Sequence, residues 1–170
     1  MRLITITIIA AFAAASVALA GGSHLITKSA IGKGKLGETS AAYRAAYGKP
    51  QPAEQLEGGL ARVEYPGQVD VYFKVKGGWT SLPFGSTGGY IVTAGAAFKT
   101  AAGVGPCSTA SAVKSAYGEA VKVNLAGGEY AYRLGTKLWF EIEGGKVAAV
   151  ALGADKQAAW IASNTVPCGS

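Results

Sequence analysis

The sequence is short of the residues that most enzymes and metal sites need. It has one histidine, one methionine and two cysteines in 170 residues. His24 is the only imidazole, so a Cys/His zinc cluster cannot be assembled, and any Ser–His or Cys–His nucleophile pair would have to use this one side chain. We therefore expect no metal, no cofactor and no enzymatic activity.

Acidic residues are also few, with 10 against 16 basic residues and a formal net charge of +6. The basic residues are interleaved with acids and form no recognition motif, which argues against nucleic acid as a partner. Lys28, Lys33 and Lys35 lie in an opening stretch that has no acidic residue before Glu38. Such a stretch suits an anionic surface polymer, lipid headgroups or an acidic protein. Ordinary solubility charge is the alternative.

Only the N-terminus contains a long apolar run. Residues 3–17 are uncharged and are followed by Ala18-Leu19-Ala20, the small-x-small pattern of signal peptidase sites. We expect a signal peptide over residues 1–20, a mature chain from Gly21, a secreted or periplasmic location and no membrane span after cleavage. An uncleaved membrane anchor is the alternative, because the run nearly reaches spanning length.

Two cysteines remain, Cys107 and Cys168. In an exported protein an even pair predicts a disulfide. This bond would tie the C-terminal tail to the start of the second half of the chain. Free thiols or a metal pair are the weaker alternative.

An internal repeat organises the chain. Residues 39–48 match residues 109–118, with five of ten positions identical, and residues 71–78 match 138–145 in the same order. A repeated pair of matches in one order indicates duplication. We expect one repeat with an N-terminal arm over residues 21–94 and a second repeat with the disulfide-tied tail over residues 95–170.

Each repeat begins with a predicted helix. Apolar residues recur on one helix face in both matched segments. Thr39 and either Ser108 or Thr109 suit the N-cap, since a side-chain oxygen there accepts a free backbone N–H. Gly48 and Gly118 stand where a helix ends in the left-handed conformation.

Strands follow each helix. Apolar and polar residues alternate along residues 69–76 and 137–143, which predicts half-buried antiparallel strands with one polar face. Gly77-Gly78 and Gly144-Gly145 suit two-residue hairpin turns. Shorter strands are predicted near residues 60–65, 90–94, 129–133 and 147–152. The fold class is therefore α+β, with two tandem helix-plus-antiparallel-meander repeats forming a helix-on-sheet layer.

This pattern resembles a group of tandem-repeat exported bacterial proteins. A helix capped at Thr and ending in Tyr-Gly, then a meander, then a second such helix after Ala102-Gly103-Val104-Gly105, is similar to the unit of the beta-lactamase inhibitor protein and of the small outer-membrane lipoprotein of the barrel-assembly machinery. The resemblance spans about residues 31–153 and implies binding to another protein through a sheet face or a helix surface. The chain departs from the inhibitor because its one expected disulfide closes the second repeat only, and it departs from the lipoprotein because it has no lipid-acceptor cysteine.

The candidate binding residues lie on the matched strands. Tyr72 and Trp139 occupy equivalent positions, and the alternation places both on the polar face. Tyrosine and tryptophan are common binding hot spots. Coverage by a loop or by the C-terminal segment around Trp160, and cross-strand packing between solvated residues, are the alternatives. The charged residues expected around the two aromatics are Lys74, Lys76, Glu141 and Glu143.

Glu141 and Glu143 also form a carboxylate pair on one strand. Such a pair could serve glycoside hydrolysis, but a solvated strand face explains it better. The sequence thus predicts an exported, non-enzymatic protein-binding module, an inhibitor of another protein being one form. Its partner would be an extracellular or envelope protein. The alternative is a cell-envelope structural protein that binds an anionic polymer.

Overall fold

The computed structural model describes residues 24–75, 82, 85–125, 128–158 and 161. Over these residues the protein is α+β, as predicted, and consists mostly of strands, with two helices and two sheets. The first half contains β1 (Leu25–Ile26), β2 (Ala30–Ile31), β3 (Gly34–Lys35), α1 (Ser40–Tyr47), β4 (Glu54–Leu56), β5 (Leu60–Tyr65), β6 (Val69–Lys74) and β7 (Gly88–Thr93). The second contains β8 (Lys99–Thr100), α2 (Ala110–Ala116), β9 (Val121–Asn124), β10 (Tyr130–Leu134), β11 (Leu138–Glu143) and β12 (Lys146–Leu152).

The large sheet has eight strands in the order β4-β5-β6-β7-β12-β11-β10-β9. All of its pairings are antiparallel, and every pairing except β7 with β12 joins strands that are consecutive in the chain. At that central pairing Val92 lies opposite Ala151. The strands after α1 therefore occupy one half of the sheet, and the strands after α2 occupy the other.

The small sheet has the order β3-β2-β1-β8, with β1 and β8 parallel. It holds the residues that precede α1 against the rest of the protein. The hydroxyl of Tyr43 donates to the carbonyl oxygen of Lys35, and that of Tyr47 donates to the carbonyl oxygen of Ile31, both at 2.6 Å. These contacts fix the N-terminal arm to α1.

The helix starts follow the capping chemistry. The side chain of Thr39 accepts the amide of Ala42 at α1, and that of Thr109 accepts the amide of Ala112 at α2. Gly48 is the C-cap of α1 at the predicted position, with a positive φ of 100°, but its ψ of −163° differs from the left-handed helical conformation expected. The corresponding prediction for Gly118 is wrong, because Tyr117 is the C-cap of α2 and Gly118 is not among the residues with a positive φ.

The larger core cluster combines residues of both helices with residues that share one face of the large sheet. Tyr43 of α1 and Val113 of α2, both fully buried, belong to this cluster together with residues from most of the sheet strands. The rings of Tyr43 and Phe73 meet edge to face with centroids 5.9 Å apart, and those of Tyr117 and Phe140 stack at 5.8 Å.

The opposite face of the sheet, called here the second face, is also buried. Its cluster combines Tyr72, Tyr90 and Trp139 with alanines of β10 and β12, and with Ala158 and Ile161 from the C-terminal segment. The expected polar face of the central strands is therefore wrong. β6 and β11 are buried along both faces except at their last residues, because the chain after β12 turns back over them.

Candidate functional site

The two aromatics predicted to form a binding surface are not accessible. Tyr72 is 5% exposed and Trp139 is 1% exposed. The Trp139 Nε1 group donates a 3.0 Å hydrogen bond to the carbonyl oxygen of Gly153, so its one polar atom is satisfied inside the protein. The expected exposure is wrong because Ala158 and Ile161 pack in the same cluster. Burial also raises the pKa of the Tyr72 hydroxyl above its ordinary value.

A polar contact at Tyr90 holds the covering segment in place. The Tyr90 hydroxyl lies 3.1 Å from both carboxylate oxygens of Asp155 and 2.9 Å from Oε1 of Gln157. A Cβ on Gly153 would lie 2.3 Å from Cδ1 of Tyr90 and 2.8 Å from Cβ of Ala158. A glycine is therefore needed for the chain to turn this closely against the sheet.

The charged residues predicted around the aromatics do not form one surface. Lys74 is exposed, with its ammonium 5.3 Å from the centroid of the Tyr90 ring. Glu143 is exposed, whereas Glu141 is 1% exposed, so its expected solvated position is wrong. Lys76 lies outside the described residues.

Glu141 is a buried carboxyl between small residues. It lies opposite Ala131 of β10 and Ala149 of β12. Burial, and secondarily the negative charges of Glu129 and Glu143, raise the pKa of Glu141 to about 7. Such a group is neutral in mildly acidic solution and has an energetic cost when it ionises.

Sequence reasoning missed two arginines on the second face. Arg62 lies opposite Tyr72, and Arg133 lies opposite Trp139, with its guanidinium carbon 5.6 Å from the tryptophan ring. Arg62 donates from Nε to Asp70 at 3.0 Å, whereas Nε of Arg133 is buried and has no hydrogen-bond partner among the described residues. The sequence did contain a signal, because Arg62 and Tyr72, and likewise Arg133 and Trp139, stand on the two strands of one hairpin.

Burial raises the pKa of the Asp70 carboxyl group even though this group lies beside the cation of Arg62. The residue is 6% exposed, and its carboxylate lies 3.0 Å from the Arg62 guanidinium. Burial raises the pKa of Asp70 more than the charge of Arg62 lowers it, so the net shift is upward. This pair joins β5 to β6 within the first half.

Two half-buried aromatic residues, Tyr130 and Tyr132, lie at the outer end of the second half. The Lys122 ammonium lies 3.9 Å from the Tyr130 ring centroid, and the Lys114 ammonium lies 5.6 Å from that of Tyr132. The two tyrosine rings meet edge to face at 5.6 Å. Both tyrosines are half-buried and both lysines are exposed. We call these four residues the lysine–tyrosine surface; it joins α2, β9 and β10.

The lysine–tyrosine surface includes Lys122 of β9, which is an edge strand of the large sheet. Val121 at its start is 51% exposed and is the only exposed large hydrophobic residue in the part of the chain that the structure describes. Neither Lys114 nor Lys122 takes part in any of the ion pairs of the described residues, which all involve Arg62. The sequence analysis did not connect these residues, because α2 and β10 contribute them from separate segments.

Lys28, Lys33 and Lys35 are exposed in the N-terminal arm, as a charged docking stretch would require.

Within the described ranges no group of three or more His, Cys, Asp or Glu side chains could hold a metal ion. No helix in those ranges is long and apolar enough to cross a membrane.

Of the two cysteines, Cys107 lies within the described residues. Cys107 is half-buried, and its amide donates to the carbonyl oxygen of Val147 at 2.9 Å. It is not a free thiol. Cys168 lies outside the described residues, so its pairing with Cys107 stays a prediction.

The chain matches no protein-family model, no curated protein and no solved structure. The resemblance to tandem-repeat exported proteins therefore stays a prediction.

Proposed function

We propose that this chain is an exported, non-enzymatic protein-binding module that engages an acidic partner through the lysine–tyrosine surface. The observation that carries the proposal is the pair of half-exposed tyrosine rings with an ammonium over each, at 3.9 Å and 5.6 Å. Tyrosines are frequent hot spots, and cations beside them favour an anionic partner. An inhibitor of another protein is one form of such a module.

We further infer that the chain is a duplication with its helices layered on the sheet, the halves being residues 21–94 and 95–170. The four strands after α1 and the four after α2 meet at β7 and β12 in mirrored sheet order, which supports this inference. So does the matching placement of Arg62 opposite Tyr72 and of Arg133 opposite Trp139.

The duplication strengthens the functional argument. Phe73 and Phe140 are matched positions, and their cross-strand neighbours are Ala61 in the first half and Tyr132 in the second. A strand arrangement of this kind therefore forms without a tyrosine at that position. Among the described residues, the tyrosine pair occurs only in the second half.

Export is part of the proposal and rests on residues 1–20, which lie outside the described residues. The apolar run and the small-x-small site support it. A secreted or periplasmic location would also provide the oxidising conditions that a Cys107–Cys168 disulfide requires.

A pull-down from envelope and culture-fluid extracts tests the proposed function. The bait is residues 21–170, beside a Lys114→Ala/Lys122→Ala variant. A Lys28→Ala/Lys35→Ala variant is the matched control, since it removes the same charge from the exposed arm. We expect one protein to be retained by the parent and by the control and lost by the first variant.

The alternative function, a cell-envelope protein that binds an anionic polymer, gives a different result. Binding to an anionic polymer depends on total positive charge, so both variants would bind cell walls more weakly by similar amounts. Salt would weaken the binding of the parent and of both variants. That outcome contradicts the protein-binding proposal. Changing Tyr72 or Trp139 does not separate the two functions, because these buried residues support the fold.

A further inference from the structure

Within the described part of the chain, no strand pairs with the outer edge of β9. β9 ends the eight-strand order and, among the described strands, pairs only with β10. The amide of Leu125 donates to the carbonyl oxygen of Glu129 at 2.9 Å, so Leu125 points its backbone toward the β10 side. Antiparallel residues alternate in this direction. The N–H and C=O groups of Lys122 and Asn124 therefore point outward.

We propose that this edge binds an extended segment of the partner as an added strand, and that the segment alternates acidic and apolar residues. The proposal rests on the proposed function and names the partner's chemistry. Strand addition of this kind uses backbone hydrogen bonds for affinity and alternate side chains for specificity.

The side chains of β9 determine which positions of the added strand would be acidic and which would be apolar. Val121 and Val123 lie opposite Arg133 and Ala131, which places both valines on the second face. Lys122 lies opposite Tyr132, on the helix side of the sheet. An added strand continues both faces. Its apolar side chains would cover the exposed Val121, and its acidic side chains would lie beside Lys122, the two complementary cross-strand pairings.

A second copy of the chain fits this edge poorly. Pairing β9 with another β9 brings two copies of Lys122 onto one face, and like charges destabilise cross-strand neighbours. The other outer strand, β4, is three residues long. Glu54 in β4 lies opposite Arg62, on the second face, so its carboxylate would meet the valines of β9 instead of Lys122.

Synthetic peptides test the inference directly. The probe is a capped, labelled peptide of about eight residues, a usual strand length, that alternates glutamate and valine. A peptide that alternates lysine and valine is its charge control. We expect residues 21–170 to bind the glutamate peptide at least about tenfold more tightly by fluorescence anisotropy.

Two substitutions at one position isolate the backbone contribution. Asn124→Pro removes an outward N–H, keeps the net charge and leaves the pairing with β10 intact, which proline permits on an edge strand. Asn124→Ala removes the side chain but keeps that N–H. We expect the proline variant to bind the glutamate peptide about tenfold more weakly than the alanine variant, at an unchanged Tm.

Equal binding by the two variants overturns strand addition, while the pull-down still decides the proposed function independently. Equal binding of the two peptides overturns the acidic alternation. If Asn124→Pro fails to fold, amide exchange on the parent replaces it: added protection at Lys122 and Asn124 upon peptide binding supports the inference, and unchanged exchange rejects it. Self-association of the parent through β9 also rejects it.

Discussion

At the scale of single residues, Glu141 sets a pH dependence on the stability of the fold. Its folded-state pKa is about 7 against an ordinary 4.5. Between these values the native state holds the proton more tightly than the unfolded state, so stability falls as the pH rises through this window and is constant above it. The shift corresponds to about 3 kcal/mol.

Glu141→Gln should remove this dependence and leave the variant more stable than the parent above neutral pH, by up to about 3 kcal/mol. Urea unfolding at about pH 5 and about pH 8 measures the effect. The exposed Glu143→Gln should change stability by less than about 0.5 kcal/mol. A parent whose stability is the same at both pH values would contradict this prediction.

Gly153 is a second residue at which a single substitution should lower stability. A Cβ at this position would lie 2.3 Å from Cδ1 of Tyr90. Gly153→Ala should therefore destabilise the protein by about 1–3 kcal/mol through overpacking. Gly118→Ala is the control, because a Cβ there meets nothing within 4 Å. Thermal unfolding of the two variants compares them, and equal Tm values would show that the chain after β12 does not lie closely against Tyr90.

At the scale of elements, the helix caps are the clearest local determinants. The Thr109 side chain accepts the amide of Ala112 at 3.1 Å. Thr109→Ala should cost about 1 kcal/mol, since it leaves that amide without a partner in the protein. Ser115→Ala, at an exposed position inside α2, should cost nothing, because alanine favours helices. Chemical denaturation checks both; a similar loss in the two variants would remove the role given to the cap.

Element prediction from sequence succeeded where the determinants are local. β5 was predicted at its observed bounds, because its alternation and flanking turns lie within a few residues. The strands β4 and β9, with three and four residues, were missed because so short a segment shows little periodicity. Those missed strands form the sheet edges, so the candidate binding edge could not be predicted.

The burial of Tyr72 and Trp139 was left open by the sequence, which offered coverage by the C-terminal segment as an alternative to exposure. Alternation shows which residues share a sheet face, but not whether another segment covers that face. Ala158 and Ile161 come from a segment distant in sequence, and only the fold brings them onto the strand. The same limit hid the lysine–tyrosine surface, whose Lys114 comes from a helix and whose tyrosines come from a strand.

At the scale of the whole molecule, the Cys107–Cys168 disulfide is expected to close a long loop around the second half. Chain entropy gives such a bond about 4 kcal/mol. A Cys107→Ser/Cys168→Ser variant should have a free energy of unfolding lower by about 4 kcal/mol. Urea denaturation measures this as a lower midpoint concentration. Uptake of two alkylating groups by the native oxidised protein, without prior reduction, would show that the bond is absent.

The central pairing of β7 with β12 has a consequence for the order in which the protein folds. It spans three residue pairs, and every other pairing of the large sheet joins consecutive strands. Local pairings close quickly, whereas joining distant strands requires closure of a long loop. We therefore expect each half to pair its own strands first, and β7 to meet β12 in a later step that completes the eight-stranded sheet.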